Sequence, residues 1–274
     1  MKNLKYTILT LLLSFAAFAN VSNTEKEALL ALYNSTNGAQ WNSTWDTSAP
    51  INTWYGVKLE NNIVVEINLP FNNLQGELPN EIGDLTGLTK LNLGFNGISG
   101  NVPASLSKLQ NLERLELFMN KFEGEIPAEL GNLKNLKSLK LYSNKLSGNI
   151  PLALMQLTNL EELLLGSNFL TGNIPREIGA LSKLKKFSVM DNKMYGEIPV
   201  EMAQLMELEE LLLSTNEFTG DVPIEFVNLT KLNTIMVSDN KLNREFISVS
   251  GKNPPSLMLM ETGSATASMD IEKD

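Results

Sequence analysis

Two chemically versatile residue types are missing from this sequence, which contains no cysteine and no histidine. Without cysteine the chain cannot form a disulfide, carry a lipid-attached cysteine or build a thiolate metal site. Without histidine it cannot form a Ser-His or Cys-His nucleophile or an imidazole metal site. We therefore expect no catalytic site, no metal site and no cofactor, and a fold that is stabilised by packing.

Long hydrophobic runs are scarce beyond the first residues. Residues 1–19 contain two lysines, then an apolar run, then Ala-Phe-Ala, which predicts a secretory signal peptide cut between Ala19 and Asn20. An uncleaved anchor is the alternative. No later segment reaches about 18 consecutive apolar residues, so we expect a secreted or cell-surface protein with no membrane span after cleavage.

Positive charge is in deficit, with 22 Lys and Arg against 31 Asp and Glu. The formal net charge of −9 becomes −11 when the two lysines of the signal peptide are removed. A polyanion is a poor partner for nucleic acid or anionic lipid. We expect a monomer that binds neither and whose partner is a protein or a polysaccharide.

One period of 24 residues organises most of the chain, with asparagine, glycine and proline recurring in phase. The unit at residues 115–127 reads LELFMNKFEGEIP and is followed by three inward-spaced leucines. The asparagines of the period are Asn72, Asn96, Asn120, Asn144, Asn168, Asn192, Asn216 and Asn240. Because no insertion breaks the step, these residues predict a stack of equivalent coils.

Each part of this unit has a structural role that its chemistry explains. Leu115 and Leu117 alternate with Glu116, which is typical of a short strand with its apolar face turned inward. Asn120 can bond backbone groups of neighbouring coils, and Pro127 fixes φ where the chain enters a loose helical segment. A single coil cannot bury its leucines alone, so the coils share one core and the ends need caps.

The unit resembles the plant-type class of the leucine-rich-repeat family, LxLxxNxLxGxIPxxLGxLxxLxx, over residues 65–246 in about seven and a half units. The resemblance implies an α/β solenoid, a curved right-handed coil stack with a parallel β-sheet on the concave face and 3₁₀ or loop segments on the convex face. It also implies recognition, since similar repeats serve as receptor ectodomains, adhesins and inhibitors of cell-wall-degrading enzymes. The lysine- and asparagine-rich, cysteine-free composition favours a bacterial member.

The two ends depart from the repeat. Residues 20–64 resemble the N-terminal cap of such proteins, without its usual disulfide, and Thr24-Glu25-Lys26-Glu27 predicts a capping box that opens a helix ending near Asn37. Three tryptophans are expected to cover the first coil, with a carbohydrate platform as the alternative: Trp41, Trp45 and Trp54. We expect residues 247–274 to form a C-terminal cap, with a last strand at residues 256–260, and a flexible tail.

Paired carboxylates, which could serve in acid-base catalysis, occur at Glu161-Glu162 and Glu209-Glu210. Two carboxylates can carry out glycoside hydrolysis when they flank a cleft. Both pairs occupy the same repeat position just before a strand, which favours solvated surface residues. We therefore expect a non-catalytic binding protein, with an inhibitor of a cell-wall-degrading enzyme and a passive or adhesive spacer as the alternatives.

Binding is expected where side chains vary from coil to coil on the concave strands. Apolar side chains there, centred on Phe118, Tyr142 and Leu164, are typical of binding hot spots, although single apolar surface residues are ordinary. Charged residues at their margin would orient a partner. The candidate partner-binding residues are Lys90, Arg114, Glu116, Phe118, Lys140, Tyr142, Leu164, Met190, Leu212 and Met236.

Overall fold

The computed structural model of the protein describes residues 21–243. The predicted signal peptide, residues 1–19, lies outside the described residues, as do the predicted C-terminal cap and tail, residues 247–274. The predicted boundaries of these segments remain predictions.

The described chain opens with a helix, α1 (Asn23–Ser35), whose start differs from the sequence prediction. Ser22 is the N-cap, not Thr24: its hydroxyl accepts a hydrogen bond from the Glu25 backbone N–H, and the Glu25 carboxylate accepts one from the Ser22 N–H. The same carboxylate accepts a hydrogen bond from the backbone N–H of Val64 at 2.9 Å. One buried glutamate thus closes the capping box and ties α1 to the first coil.

Seventeen strands, β1 to β17, follow within the described residues. In chain order they are Val57–Glu60, Ile63–Asn68, Gln75–Glu77, Lys90–Asn92, Gly97–Asn101, Arg114–Glu116, Lys121–Glu125, Ser138–Lys140, Lys145–Gly148, Glu162–Leu164, Phe169–Leu170, Lys186–Ser188, Tyr195–Glu197, Glu210–Leu212, Glu217–Gly220, Thr234–Met236 and Lys241–Leu242. Short 3₁₀ turns separate each coil from the next, and most follow a proline N-cap, as Ala128–Asn132 follows Pro127.

Nine strands form one sheet in the order β1-β2-β4-β6-β8-β10-β12-β14-β16. β1 runs antiparallel to β2, whereas the later neighbours are parallel and advance by one repeat, so that Arg114 lies between Lys90 and Ser138. The other strands form a five-stranded and a three-stranded parallel sheet. Parallel strands alternating with 3₁₀ turns confirm the predicted α/β solenoid.

The core is a stack of equivalent apolar positions, most of them leucine. Leu115, Leu130, Leu133 and Leu136 of one coil are completely buried, as are their counterparts in the central coils. These residues belong to one continuous hydrophobic cluster that runs through the described coils. The predicted sharing of one core along the stack is therefore confirmed.

The asparagine of each coil joins two coils. The Asn120 side-chain N–H group donates to the carbonyl of Leu93 in the preceding coil at 2.9 Å and to Leu117 in its own coil at 3.1 Å. Its oxygen accepts from the Ile98 backbone N–H at 3.0 Å. The pattern recurs at Asn96, Asn144, Asn168, Asn192, Asn216 and Asn240. This confirms the predicted ladder, which satisfies backbone groups that the strands leave unpaired, from Asn96 onward. Asn72 differs, because its side chain bonds to the N-terminal segment: it accepts from the Ser43 N–H at 2.6 Å and donates to the Ser43 carbonyl at 3.3 Å.

The three tryptophans close the N-terminal end. Trp41, Trp45 and Trp54 are each at most 5% exposed. Trp45 stacks on Trp54 with ring centroids 4.7 Å apart, and Trp41 meets Trp45 edge-on at 4.8 Å. Rings buried against one another offer no face to a sugar, so the expected packing role is confirmed over the carbohydrate platform.

Candidate functional site

The outward side chains of the nine-stranded sheet, together with those of the residues that continue its backbone ladder just beyond the strands, form what we call the strand face. Their strands are held in register by one repeat per step, so equivalent residues of successive coils stand side by side. Neighbouring parallel strands lie about 4.8 Å apart. The strand face is therefore a grid in which each repeat position forms a row along the stack.

Most charged residues on the strand face are paired across neighbouring strands. Lys90 contacts Glu66 at 2.8 Å, and Lys186 contacts Glu210 at 3.0 Å. Lys140 lies between two carboxylates, at 3.4 Å from Glu116 and 3.0 Å from Glu162. The mixed charge expected from the sequence is thus organised into ion pairs, which hold these side chains in place.

Glu162 and Lys140 are both kept charged by this arrangement. Burial raises the pKa of Glu162, but hydrogen bonds from Ser138, at 2.7 Å, and from Lys140 outweigh it, so the pKa lies below its ordinary value. Burial lowers the pKa of Lys140, but Glu162 and Glu116 outweigh it, so that pKa is raised. A carboxylate held ionised in this way is a poor general acid.

The paired carboxylates do not act together in the structure. Glu161 contacts Lys185 at 2.7 Å, whereas its neighbour Glu162 turns to Lys140. Glu162 is also half-buried rather than freely solvated, which corrects the expectation of plain surface residues. Each member of this pair is thus engaged by a different lysine.

Arg114 is the exception among the cations of the strand face. Its side chain is exposed, and within residues 21–243 it forms no ion pair and no side-chain hydrogen bond. It lies between Lys90 and Ser138 on the neighbouring strands. Arg114 is therefore available for an anionic group of a partner.

Two of the predicted apolar residues are brought into direct contact. Phe118 and Tyr142 stack with ring centroids 4.8 Å apart and planes at 12°. Gly94 makes room for Phe118, since a Cβ on that glycine would lie 2.5 Å from the ring. Burial raises the pKa of the Tyr142 phenol, with Lys140 acting in the opposite sense. These two rings form the centre of a larger aromatic cluster.

The cluster continues through two residues that the sequence reasoning missed. Phe95 meets Phe118 edge-on at 5.5 Å, and Phe71 stacks on Phe95 at 3.9 Å. We call Phe71, Phe95, Phe118 and Tyr142 the aromatic ribbon. Phe71, at its end, is 62% exposed, the largest exposed fraction among the described aromatic residues. The ribbon spans four successive coils just beyond the ends of their strands.

A sequence signal for the missed residues does exist. Phe71 and Phe95 directly precede the repeat asparagine and adopt left-handed backbone conformations, with φ of 56° and 54°. Bulky residues are rare in that region. The other coils place smaller or unbranched side chains there: Met119, Ser143, Ser167, Asp191, Thr215 and Asp239. Two phenylalanines in a position that mostly carries serine, threonine or aspartate indicate a role other than folding.

The ten candidate residues do not form one compact site. Lys90 on β4 and Met236 on β16 are six strands apart in the sheet, or about 29 Å at the usual strand spacing. The apolar candidates are half-buried rather than fully exposed: Phe118, Tyr142, Leu164, Met190, Leu212 and Met236. The structure joins Phe118 with Tyr142, and Lys140 with Glu116, and spreads the rest along the strand face.

The repeats match a known family. Residues 87–109, 111–133, 135–157 and 159–181 match the family model described as Leucine Rich Repeat. One chain in the crystal structure of the BIR3–SERK2 complex from Arabidopsis thaliana is 30% identical to this chain, with a TM-score of 0.52. The match covers 93% of that chain and 61% of this one. The chain belongs to the leucine-rich-repeat family. Its repeats are of the plant type, as the sequence predicted.

Two further structural matches extend over more of the chain. The first is the ectodomain of the Arabidopsis thaliana receptor kinase GASSHO1/SCHENGEN3 in complex with CASPARIAN STRIP INTEGRITY FACTOR 2. It is 31% identical to this chain, with a TM-score of 0.74, and the match covers 81% of this chain and 27% of the ectodomain. A plant ice-binding protein is 28% identical, with a TM-score of 0.78, over 89% of this chain and 79% of its own. No curated protein sequence matches.

Proposed function

We propose that this protein is a secreted or cell-surface binding protein that recognises a protein or a glycan through its strand face and catalyses no reaction. The observation that carries the proposal is the division of labour within each coil. Leucine and asparagine positions repeat and are buried, whereas the residues of the strand face change from coil to coil on that fixed frame. Variable side chains on a rigid scaffold are the usual basis of recognition.

Similar proteins support a binding role. The GASSHO1/SCHENGEN3 ectodomain was crystallised with CASPARIAN STRIP INTEGRITY FACTOR 2, and a second similar protein, PEPR1, with AtPEP1. This chain spans 27% and 32% of those two proteins, so their ligands are not assigned to it. What supports the proposal is that coil stacks of this geometry bind partners.

The residue inventory supports the absence of catalysis. The sequence has no histidine and no cysteine, and Glu162 is held ionised by Lys140 and Ser138. Export is supported by the N-terminal signal pattern. Among residues 21–243, no helix combines the length and the apolar character needed to cross a membrane.

Differential capture tests this function. The protein is immobilised and exposed to material from the surroundings of the producing organism, and retained proteins and glycans are quantified. A strand-face variant, Arg114→Ala with Tyr142→Ala, is compared with a control variant, Arg176→Ala with Phe169→Ser, whose residues lie away from the strand face.

We expect at least one partner to be retained by the wild type and the control but lost from the strand-face variant. An inhibitor would additionally titrate a polygalacturonase-like enzyme in solution, and an adhesin would retain cells or matrix on a coated surface. Retention of nothing by correctly folded protein would contradict the proposal and favour a passive spacer.

A further inference from the structure

We propose that the aromatic ribbon and Arg114 form an anchor for an extended polypeptide segment, in which the ribbon takes an apolar side chain and Arg114 takes one aspartate or glutamate side chain. The inference rests on the function proposed above and specifies its partner class. It is carried by three observations: a ribbon that the fold does not need, rings that do not form one flat platform, and an unpaired cation on the same strand face.

The fold does not require phenylalanine at the ends of the ribbon. Phe71 and Phe95 occupy left-handed backbone conformations, which disfavour bulky side chains. Ser143 and Ser167 make the same turn in later coils. Strained residues that persist without a structural need concentrate at functional sites. Phe71 also leaves 62% of its surface exposed, so folding gains little from its burial.

The arrangement of the rings favours a peptide over a sugar. Phe71 and Phe95 cover each other's faces, as do Phe118 and Tyr142, and the two pairs meet edge-on at 87°. Each stacked pair therefore covers one face of each of its rings, and the two pairs stand nearly at right angles, so the ribbon does not form one flat platform. A pyranose ring binds an aromatic ring through its face, whereas aliphatic and aromatic side chains also pack against edges.

Charge on the neighbouring strands selects a carboxylate. On β2, β4, β6 and β8 of the nine-stranded sheet, the cations Lys90, Arg114 and Lys140 stand among the carboxylates Glu66 and Glu116, and Lys140 also contacts Glu162 on β10. Only Arg114 of these cations lacks an ion pair within the described residues. Because the whole chain carries a net charge of −9, a partner with many acidic groups is repelled, whereas one carboxylate at Arg114 is compensated.

Recognition at this point must use side chains. β6, which carries Arg114, is paired with β4 on one side and β8 on the other, so it offers no free edge for an added strand. The ribbon spans three coil steps, or about 14 Å at the usual strand spacing. About four residues of extended chain cover that length. Arg114 lies four residues before Phe118, or about 13 Å along the strand direction. A linear segment of about eight residues is therefore sufficient to contact both the ribbon and Arg114.

Selection from a random peptide library tests the anchor. The full protein is panned against phage-displayed dodecapeptides, and selected sequences are synthesised with amidated C-termini so that only side chains supply carboxylates. We expect a consensus with one Asp or Glu near a large apolar residue. Phe95→Ser should lower the affinity for the selected peptides by about tenfold or more, and Arg114→Ala should lower it by about fivefold.

Matched controls separate anchoring from folding. Serine occupies the position of Phe95 in other coils, so Phe95→Ser keeps the fold, which thermal unfolding verifies. Phe169→Ser removes another exposed ring and Arg176→Ala another exposed arginine, and both should leave affinity unchanged. Replacing the peptide's Asp or Glu by its amide should lower the affinity as much as Arg114→Ala does. Combining the amide peptide with Arg114→Ala should lower the affinity no further.

Other outcomes overturn the inference without overturning the proposed function. A consensus without an acidic residue, or affinity that depends on Lys186 and Leu212 instead of the ribbon, places peptide binding elsewhere on the strand face. Binding of cellulose or chitin through Tyr142 with no peptide selected makes the partner a glycan. If neither peptides nor polysaccharides are bound and differential capture also retains nothing, both proposals fail.

Discussion

Asn168 shows how a single residue position supports the solenoid. Its buried side chain donates to the carbonyls of Leu141 and Leu165 at 3.0 Å each and accepts from the Leu146 N–H at 3.0 Å. These groups belong to adjacent coils, so the residue joins them through a polar contact that excludes water. Strict recurrence of asparagine was enough to predict this role from sequence, because the same bonding problem arises in every coil.

Removal of this side chain should be costly. Asn168→Ala leaves buried backbone groups without partners, and we expect the free energy of unfolding to fall by about 3 kcal/mol. Asn132→Ala, at an exposed position, should change it by no more than about 0.5 kcal/mol. Urea denaturation of both variants measures the difference, and equal effects would refute the ladder as a source of stability.

Acid should weaken the Glu162 cluster. Since the pKa of Glu162 is lower in the folded protein than its ordinary value of 4.5, its contribution is complete above pH 4.5 and is lost as the pH falls through the lowered value. At pH 7 we expect Glu162→Gln to be less stable than the wild type by about 1 kcal/mol. That gap should close below pH 4.5.

Thermal unfolding between pH 3 and pH 7 measures this stability difference between Glu162→Gln and the wild type. Glu177→Gln is the control, because Glu177 is exposed and makes no ion pair within residues 21–243. A gap that stayed constant with pH would show that Glu162 stabilises through packing rather than charge.

The first helix shows where sequence reasoning reached its limit at the scale of one element. Ser22-Asn23-Thr24-Glu25 and Thr24-Glu25-Lys26-Glu27 both fit the capping-box pattern, so local sequence cannot choose between them. The structure selects the first because Glu25 also bonds the Val64 N–H, a contact 39 residues away. Long-range contacts of this kind are invisible to a local pattern.

Cap variants distinguish the two boxes. Ser22→Ala should lower the free energy of unfolding by about 1 kcal/mol, since it removes the hydroxyl that accepts from the Glu25 N–H. Thr24→Ala, at an exposed position inside the first turn, should change it by less than about 0.5 kcal/mol. Guanidinium titrations monitored by circular dichroism compare them, and a larger loss for Thr24→Ala would restore the second box.

Across the whole molecule, the period fixes the architecture but not the site. Inward residues obey the repeat, so the shared core was predictable from spacing, and the parallel sheet was predicted from the resemblance to the leucine-rich-repeat family. The aromatic ribbon depends on contacts between rings at different repeat positions, such as Phe95 and Phe118. A comparison of residues at one repeat position therefore does not detect it. The variable repeat positions predicted the strand face, whereas the three-dimensional arrangement of the rings revealed the ribbon.

Stability should also depend on position along the stack. Leu160 is completely buried in a central coil, whereas Leu232, at the same repeat position in the last described coil, is 8% exposed. We expect Leu160→Ala to cost about 4 kcal/mol and Leu232→Ala about 2 kcal/mol, because a central cavity has coils on both sides. Chemical denaturation measures both. Equal losses would mean that the last coil is enclosed as completely as the central ones.

Hydroxyl-radical footprinting with a captured partner tests the central claim, recognition through the strand face, most directly. We predict that the partner protects the aromatic ribbon, Phe71, Phe95, Phe118 and Tyr142, from oxidation. Phe169 and Tyr195, which are about half exposed on the smaller sheets, should react equally with and without it. Protection of Phe169 and Tyr195 with an unprotected ribbon would contradict the account and place binding on a different face of the solenoid.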